Sequence, residues 1–488
     1  MPDSSAAAAS LRESLGAALA PGVLLEDAAD AAPFLTDHRG LYRGRALGVA
    51  LPRDVAEVSK LLAWCNAQRV GVVPQGGNTS YCGGATPDDS GLQLVIGLRR
   101  LNRIRAVDAA DFSMTVEAGC TLAEVQRAAA DAGRFFPLEL GSSGSCQIGG
   151  NLATNAGGLN VLRFGMARAL TLGIEAVLAD GRVYQRLRAL HKDNTGYDLT
   201  GLLVGSEGTL GIITAATLKV WRQPHSTATA FVAVADVAAA VTLLARLQAA
   251  AGERVNSYEL LPRSALELAL RHIEGVADPL GASHEWYLLC ELSSFADEAL
   301  GSLLEQALSS ATDAGLVLDA VIAANERQRA SLWRLRESVP EAQRRAGPSL
   351  KHDISVPVAR LPEFVAAASR WVRDHVPRGT LVAYGHAGDG NLHFNISFPA
   401  QTAPAALAAQ EPVIRRAIHD LVAAHGGSFS AEHGIGHLKV GELERYASPV
   451  ALAMMRDIKR ALDPNGIMNP GKVLAAGGPA QPDLSAWS

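Results

Sequence analysis

Apolar positions recur with two different periods along the first 220 residues. Between Asp54 and Gln68, Val55, Val58, Leu61 and Leu62 share one helical face, and Asp54 with Glu57 three residues on supplies a start signal. Thr121 and Glu124 repeat that spacing for a helix that stops at Gly133. Short apolar runs lie between them: ALGVALP from Ala46, VGVVP (70–74), LQLVIGL (92–98) and IEAVLA (174–179). These read as strands bounded by proline and glycine. After an N-terminal helical lead-in, the pattern to about Trp221 is therefore an α+β unit.

Past Pro224 the texture changes. Alanine-rich amphipathic helices are predicted at about 235–251, 296–314, 360–375 and 410–424, between strands such as EWYLLCEL and TLVAYGH. A second domain follows, with Arg222 to Thr227 as the link. The expected division is a lead-in over 1–45, a first domain over 46–225, a second over 226–448 and a C-terminal segment over 449–488. That last segment contains LDPNGIMNPGKVL (462–474), polar and turn-rich, an odd composition for a mere tail.

Glycine sharpens this picture. Of 47 glycines in 488 residues, 23 fall between Gly71 and Gly211. Two loops hold many of them, PQGGNTSYCGG (74–84) and GSSGSCQIGGNLATNAGG (141–158). Each alternates glycine with small hydroxyl or amide residues, so consecutive backbone N–H groups can form a concave nest, with Thr79, Ser80, Ser142 and Asn155 as further donors. Such a nest suits a pyrophosphate. A third segment, GLLVGSEGTLGIIT (201–214), adds glycines around Glu207. No GxGxxG follows a strand with an acid about 20 residues on, and GxxxxGK[ST] is absent. The expected ligand is dinucleotide-sized, in a cradle that is not a Rossmann fold.

The remaining totals mostly exclude. Lys plus Arg is 44 against 49 Asp plus Glu, a net charge of −5, which leaves no basic footprint for nucleic acid. No apolar run approaches the ~20 residues of a membrane span. Asp3 and Glu13 with no basic n-region argue against an export signal, so a cytoplasmic location is expected. Five cysteines without any CxxC speak against a disulfide framework, a zinc ribbon or an intrinsic iron–sulfur cluster.

The candidate chemistry lies in the second domain. VAYGHAGDGNLHFNI (382–396) reads as strand, tight turn, strand. Leu392, Phe394 and Ile396 take one face of the second strand, while His393 and Asn395 share the other. His386 ends the first strand, and the turn folds it back beside His393. SAEHGIGHLK (430–439) then supplies Glu432, His433 and His437 beside Gly434 and Gly436. Two histidines and a carboxylate suit a borderline divalent metal such as zinc, with positions left for substrate. HxxxH at 433–437 has the zincin spacing, but the glycines oppose the helix that motif needs, and its glutamate is missing. Arg336 in SLWRLRES and Lys351 in PSLKHDISVP are upstream cations suited to a substrate carboxylate or to solvent.

Taken together, PQGGNTSYCGGATP, GSCQIGGNLATNAGG, LRFG, KDNTGYDLTGLLVGSEGTLGIIT, GHAGDGNLHFNI, AEHGIGHLK and LDPNGIMNPGK resemble the FAD-dependent D-2-hydroxyacid dehydrogenases of the vanillyl-alcohol-oxidase/PCMH flavoprotein superfamily. The resemblance runs from about residue 40 to 475, and FPLELGSSGSCQIGG and LHKDNTGYDL look most like the D-2-hydroxyglutarate dehydrogenases. It implies an α+β architecture: a PCMH-type FAD-binding domain of two α+β subdomains, an α+β substrate (cap) domain with an antiparallel sheet, and a C-terminal segment returning to the flavin. It assigns Pro74, Gly76, Gly77, Asn78, Thr79, Ser80, Gly83, Gly141, Ser142, Gly149, Gly150, Thr154, Asn155, Gly208, Gly211, Ile213 and Asn469 to FAD. His386, His393 and Glu432 match metal ligands, expected to hold zinc, and Arg336, Lys351, Asn395 and His433 match the substrate site, His433 as catalytic base.

The implied reaction is oxidation of a D-2-hydroxy acid, best D-2-hydroxyglutarate, by hydride transfer to flavin N5. D-lactate dehydrogenase and the flavin subunit of glycolate oxidase are the alternatives within the family, and a metal-dependent hydrolase or a nucleotide-sensing module outside it. The hydroxyglutarate enzymes place a threonine four residues after the arginine, where this chain has Pro340, without a hydroxyl or N–H to donate. Covalently flavinylated relatives often carry histidine at the position of Asn78, so FAD is expected to bind non-covalently, with Cys146 a further thiol in a flavin loop. The expected partners are the small-molecule hydroxy acid, an external electron acceptor (electron-transfer flavoprotein or quinone) and a second copy in a homodimer. Two sites facing each other across the domain boundary would follow.

Overall fold

The computed structural model describes residues 4–475, which divide into two compact units. The first comprises the chain up to Ala156, Met166–Trp221 and the segment from Glu432; the second comprises Gly157–Gly165 and Arg222–Ala431.

In the first unit, β1 (Gly48–Ala50), β2 (Val72–Gln75) and β3 (Leu94–Gly97) form a parallel sheet in the order β1–β3–β2. Parallel strands are covered on both faces, which explains their unbroken apolar runs. Val72, Leu94 and Ile96 pack with Val58, Leu61, Leu62 and Cys65 of the helix Val55–Gln68. Val49, Val73 and Val95 join Phe34 in a separate cluster. That helix starts as its sequence predicts, with Asp54 accepting from the Glu57 N–H at 2.9 Å. Ile467 and Asn469 pair with β2 through Val72, at 2.7 Å in both directions, so the C-terminal segment completes the edge of this sheet.

An antiparallel sheet of the same unit runs β4–β5–β8–β6–β7, from β4 (Ile104–Asp108), β5 (Ser113–Glu117), β6 (Thr171–Val177), β7 (Val183–Arg186) and β8 (Ile212–Lys219). The helix Leu122–Asp131 carries both halves of the capping box between Thr121 and Glu124, worth about 1 kcal/mol.

The second unit is built on one antiparallel sheet: β9 (Ser226–Val234), β10 (Val255–Pro262), β11 (Trp286–Ser294), β12 (Val317–Ile322), β13 (Ser349–Leu350), β14 (Asp353–Ser355), β15 (Thr380–His386) and β16 (Asn391–Ser397). Its order is β12–β9–β11–β10–β15–β16–β13, with β14 also on β16. Residues alternate between two layers, as the period of a strand requires. Val232, Leu260, Leu288 and Phe394 pack with Leu243, Leu304, Phe364 and Ile418 of four helices. Phe231, Leu261, Leu289 and Val382 pack on the other side with Leu266, Leu332 and Trp333. At about 1.5–3 kcal/mol for each fully buried large apolar side chain, these layers dominate the unit's stability.

Helix boundaries shift from the sequence reading in two places. The helix predicted at 410–424 begins at Pro404, because proline fits the first turn and Leu407 extends the apolar stripe past Pro412. The helix expected from 296 begins at Leu300. Strand β9 also starts within the presumed link, at Ser226.

Candidate active site

In the first unit the glycine loops approach each other at backbone distance. A Cβ on Gly77 would overlap the Ser145 carbonyl oxygen, and one on Gly76 would stand 3.4 Å from the Gly150 nitrogen. Gly149 lies against Ala118 and Gly208 against Pro74, where an added Cβ would come within 2.7 and 2.9 Å. Likewise Gly83 abuts Tyr42 and Gly211 the Val177 carbonyl, at 2.7 and 2.9 Å. These glycines allow close packing. A Cβ on Gly141, Gly144 or Gly150 would meet nothing within 4 Å, so those backbones border open space. Asn469 Oδ1 and Gln147 Oε1 are buried acceptors without a protein partner among the described residues. Bare backbone, open space and unpaired acceptors together fit a polar dinucleotide such as FAD.

Three side chains assigned to FAD are turned elsewhere. Asn78 Nδ2 donates to Thr36 O at 2.8 Å, Thr154 Oγ1 donates to Gly150 O at 3.0 Å, and Asn155 Oδ1 accepts from the Arg168 N–H at 2.9 Å. Asn78 and Asn155 both have positive φ, 53° and 49°. Their role is to shape the loops, since asparagine tolerates the left-handed region. Ile213 is buried in β8.

A carboxylate that the motif analysis did not single out ties the 201–214 segment to the C-terminal chain. Part of Glu207 reaches the surface, but its carboxylate is enclosed and accepts from the N–H groups of Ile435 and Gly436, both at 2.7 Å. Burial raises its pKa; the two N–H groups and Lys439 oppose that rise. Asn469 Nδ2 donates to Gly84 O at 2.9 Å and to Glu207 O at 2.8 Å. On the same segment, the His433 ring lies 4.6 Å from that of Tyr81. Residues 433–437 form no helix: Gly434 and Gly436 have φ of 70° and 52°, so the zincin reading fails for the reason the glycines gave.

In the second unit, β15 and β16 form the predicted hairpin, with Tyr384 opposite His393. The His386 and His393 rings are 5.6 Å apart at 74°. Gly390, at φ 85°, turns the chain where a Cβ would overlap the Val356 carbonyl. Asp353 pairs with His393 from β14, and the Ala431 N–H donates to Asp353 O at 3.3 Å. Glu432 is the next residue along the chain. The two imidazoles have the nitrogen donors and spacing of a divalent-metal site.

Arg336 lies at the end of the helix Glu326–Glu337, its guanidinium carbon 4.9 Å from the centre of the Tyr384 ring. Its Nε donates to Glu259 Oε2 at 2.7 Å, while Glu259 Oε1 meets His386 Nδ1 at 2.6 Å. Burial alone would raise the Glu259 carboxyl, but the neighbouring His386 and Arg336 hold it well below its ordinary value. Sequence reasoning missed Glu259 as well, although an acid inside the apolar strand VNSYELLP was a usable signal. Asn395 is buried, donating to Gln343 Oε1 at 2.9 Å and accepting from the His352 N–H at 3.3 Å. Lys351 is half-buried between β13 and β14.

Comparison with known proteins agrees with both halves of this description. Residues 46–185 match the family described as FAD binding domain, and residues 223–473 the family described as FAD linked oxidases, C-terminal domain. The chain is 39% identical over 439 residues to a probable mitochondrial D-2-hydroxyglutarate dehydrogenase of Oryza sativa subsp. indica, covering 90% of this chain and 77% of that protein. It is 37% identical over 450 residues to a D-2-hydroxyglutarate dehydrogenase of Xanthomonas citri pv. viticola, covering 92% and 94%. The structure of p-cresol methylhydroxylase with substrate bound aligns with a TM-score of 0.76 at 17% identity, covering 96% of this chain and 97% of that one, a likeness of fold.

Proposed function

The chain belongs to the FAD-linked oxidases, in the D-2-hydroxyacid dehydrogenase family, and from that premise we propose that it oxidises D-2-hydroxyglutarate to 2-oxoglutarate with the help of a divalent metal. The observation that carries the substrate side is the joining of His386 and Arg336 through one buried carboxylate, which sets a metal-type ligand beside a carboxylate-binding fork. When bound, FAD supplies the hydride acceptor at N5 and the metal, zinc by its donor set, supplies a Lewis acid that acidifies the substrate hydroxyl.

The chain's residues do the rest. His386, His393 and Glu432 hold the metal. Arg336 and Lys351 bind carboxylate oxygens, and Asn395, itself fixed by Gln343 and His352, shapes the pocket wall. His433 takes the hydroxyl proton as general base, its ring steadied against Tyr81. The loops of residues 74–84 and 141–158 would hold FAD without a covalent bond, with Asn469 as a further residue toward it. An external flavoprotein or quinone as acceptor, a homodimer and a cytoplasmic location belong to the same proposal.

A second reading, a shorter acid such as D-lactate or D-malate, draws on one feature. Pro340 is exposed in the first turn of the helix Val339–Ala346, where its missing N–H costs nothing but no hydroxyl is offered. Anaerobic mixing of the yellow protein with D-2-hydroxyglutarate, D-lactate, D-malate and glycolate separates the readings. Fastest bleaching of the ~450 nm flavin band by D-2-hydroxyglutarate is expected. Faster bleaching by D-lactate would replace the substrate, and no bleaching by any of the four would end the proposal.

A further inference from the structure

Glu259 sits in β10 directly opposite His386 on β15 and Leu289 on β11. It is 1% exposed and faces the layer that carries the helix Glu326–Glu337. A second acid, Glu291 on β11, is buried on the same face, and the two differ in their partners. Glu291 accepts from Thr229 Oγ1 at 2.8 Å, from Trp333 Nε1 at 2.7 Å, and from Arg329 Nε and Nη2 at 2.7 and 2.9 Å. Those partners belong to the packing of the sheet against its helix. Glu259 instead gives one oxygen to His386 and the other to Arg336.

We propose that Glu259 is a positioning residue that fixes the metal-binding nitrogen of His386 and the substrate-binding edge of Arg336 together. A carboxylate against Nδ1 keeps the imidazole proton on that nitrogen, which leaves the Nε2 lone pair for the ion and makes it more basic. The guanidinium is a rigid fork of five N–H donors. With Nε held by Glu259 and the plane set over Tyr384, its terminal nitrogens present a fixed edge to a substrate carboxylate. Metal affinity and carboxylate recognition thus share one support, which links occupancy of the metal site to the orientation of the substrate. The inference rests on the reading of His386 as a metal ligand.

The test uses the full-length, FAD-loaded protein stripped of metal, with zinc affinity measured by chelator competition. Glu259→Gln keeps the shape and removes the charge. It is expected to weaken zinc binding by about 10–100-fold, the usual effect of losing such an outer partner, with an unchanged flavin spectrum. Glu291→Gln, the control on the same face, should lower the melting temperature and leave zinc affinity alone. At saturating zinc, E259Q should still show a raised KM for the hydroxy acid, because Arg336 has lost its stay. Equal zinc affinity in E259Q and wild type overturns the inference, and a KM fully restored by zinc overturns its Arg336 half. Wild type without affinity for zinc removes the metal reading itself and this inference with it. A measurement independent of any variant's folding is the imidazole 15N spectrum of zinc-loaded wild type: a His386 proton on Nδ1 is expected, and one on Nε2 overturns the proposal.

Discussion

The FAD-binding unit and the histidine-bearing unit make their sites from different materials. The first works with backbone: glycines that let loops approach within van der Waals range, asparagines at positive φ, and glycine backbone that borders open space. The second works with side chains drawn from strands and helices far apart in sequence, such as Glu259, Arg336 and His386. The two buried carboxylates show the same contrast. Glu207 accepts from backbone N–H groups and is pushed up by burial; Glu259 accepts from an imidazole and a guanidinium and is held down. Where its loops touch, as at Gly77, a backbone site resists substitution because there is no room for a Cβ. A side-chain site depends on which charged groups meet.

The contrast makes separable demands. Gly77→Ala should have the largest effect, because its Cβ would overlap the Ser145 carbonyl and hold the two loops apart. At a cost of several kcal/mol, about 3 or more, the protein should purify colourless and melt earlier, while the His386 and His393 ligands in the second unit are left in place. His386→Ala should do the reverse: a normal flavin spectrum, loss of bound metal, and turnover lower by about 10²-fold or more. Retention of full metal content and turnover in H386A would break the assignment, and loss of flavin as well would show that the two sites are not separable.

Glu207→Gln should act more gently. It leaves one of the two N–H groups without its acceptor, about 1–3 kcal/mol, and loosens the segment that bears His433. Its pH dependence has a fixed sign. A carboxyl raised above its ordinary 4.5 in the folded state binds its proton longer than the unfolded chain does, so its stability contribution is complete below 4.5 and is lost as pH rises through the folded value. The deficit of E207Q in urea unfolding should therefore shrink from pH 4.5 to 7.5. A deficit that grows over that range would mean the N–H groups outweigh burial.

The smallest signal is in the thiols. Burial pushes Cys65 and Cys290 up to about 12 and Cys120 to about 11, so native protein at pH 8 should label at none of the three with a disulfide reagent. Raising urea then sharpens the comparison. Labelling of Cys65 before Cys290, or the converse, would show that one unit opens first.

Much of this was legible without coordinates, for local reasons. Caps at Asp54 and Thr121 and the alternation of Leu392, Phe394 and Ile396 depend on neighbours a few residues away. The hairpin that brings His386 near His393 was readable because its turn is short and glycine-bearing. The destinations of Asn78 and Asn155 were not, since an amide in a glycine loop can serve a ligand or its own backbone, and only the folded loop chooses. The full reach of the helix Pro404–Ala424 was hidden by Pro412, whose cost is outweighed by the packing of Ile414, Ile418 and Val422.

By itself the sequence determined the α+β class, the place of the glycine cradle, the histidine hairpin and, through its ordered motifs, the flavoprotein family. Those features are encoded in short windows or in residue types that tolerate little substitution. Tertiary structure alone decided that Glu259 joins His386 to Arg336 and that Glu207 secures residues 435 and 436. Each of those acids meets partners 77 to 229 positions away, and a charge in a strand says that it must be paired but not with what. The pairing is fixed only when the strand order brings β10 beside β15, and when the C-terminal chain returns to the glycine loops.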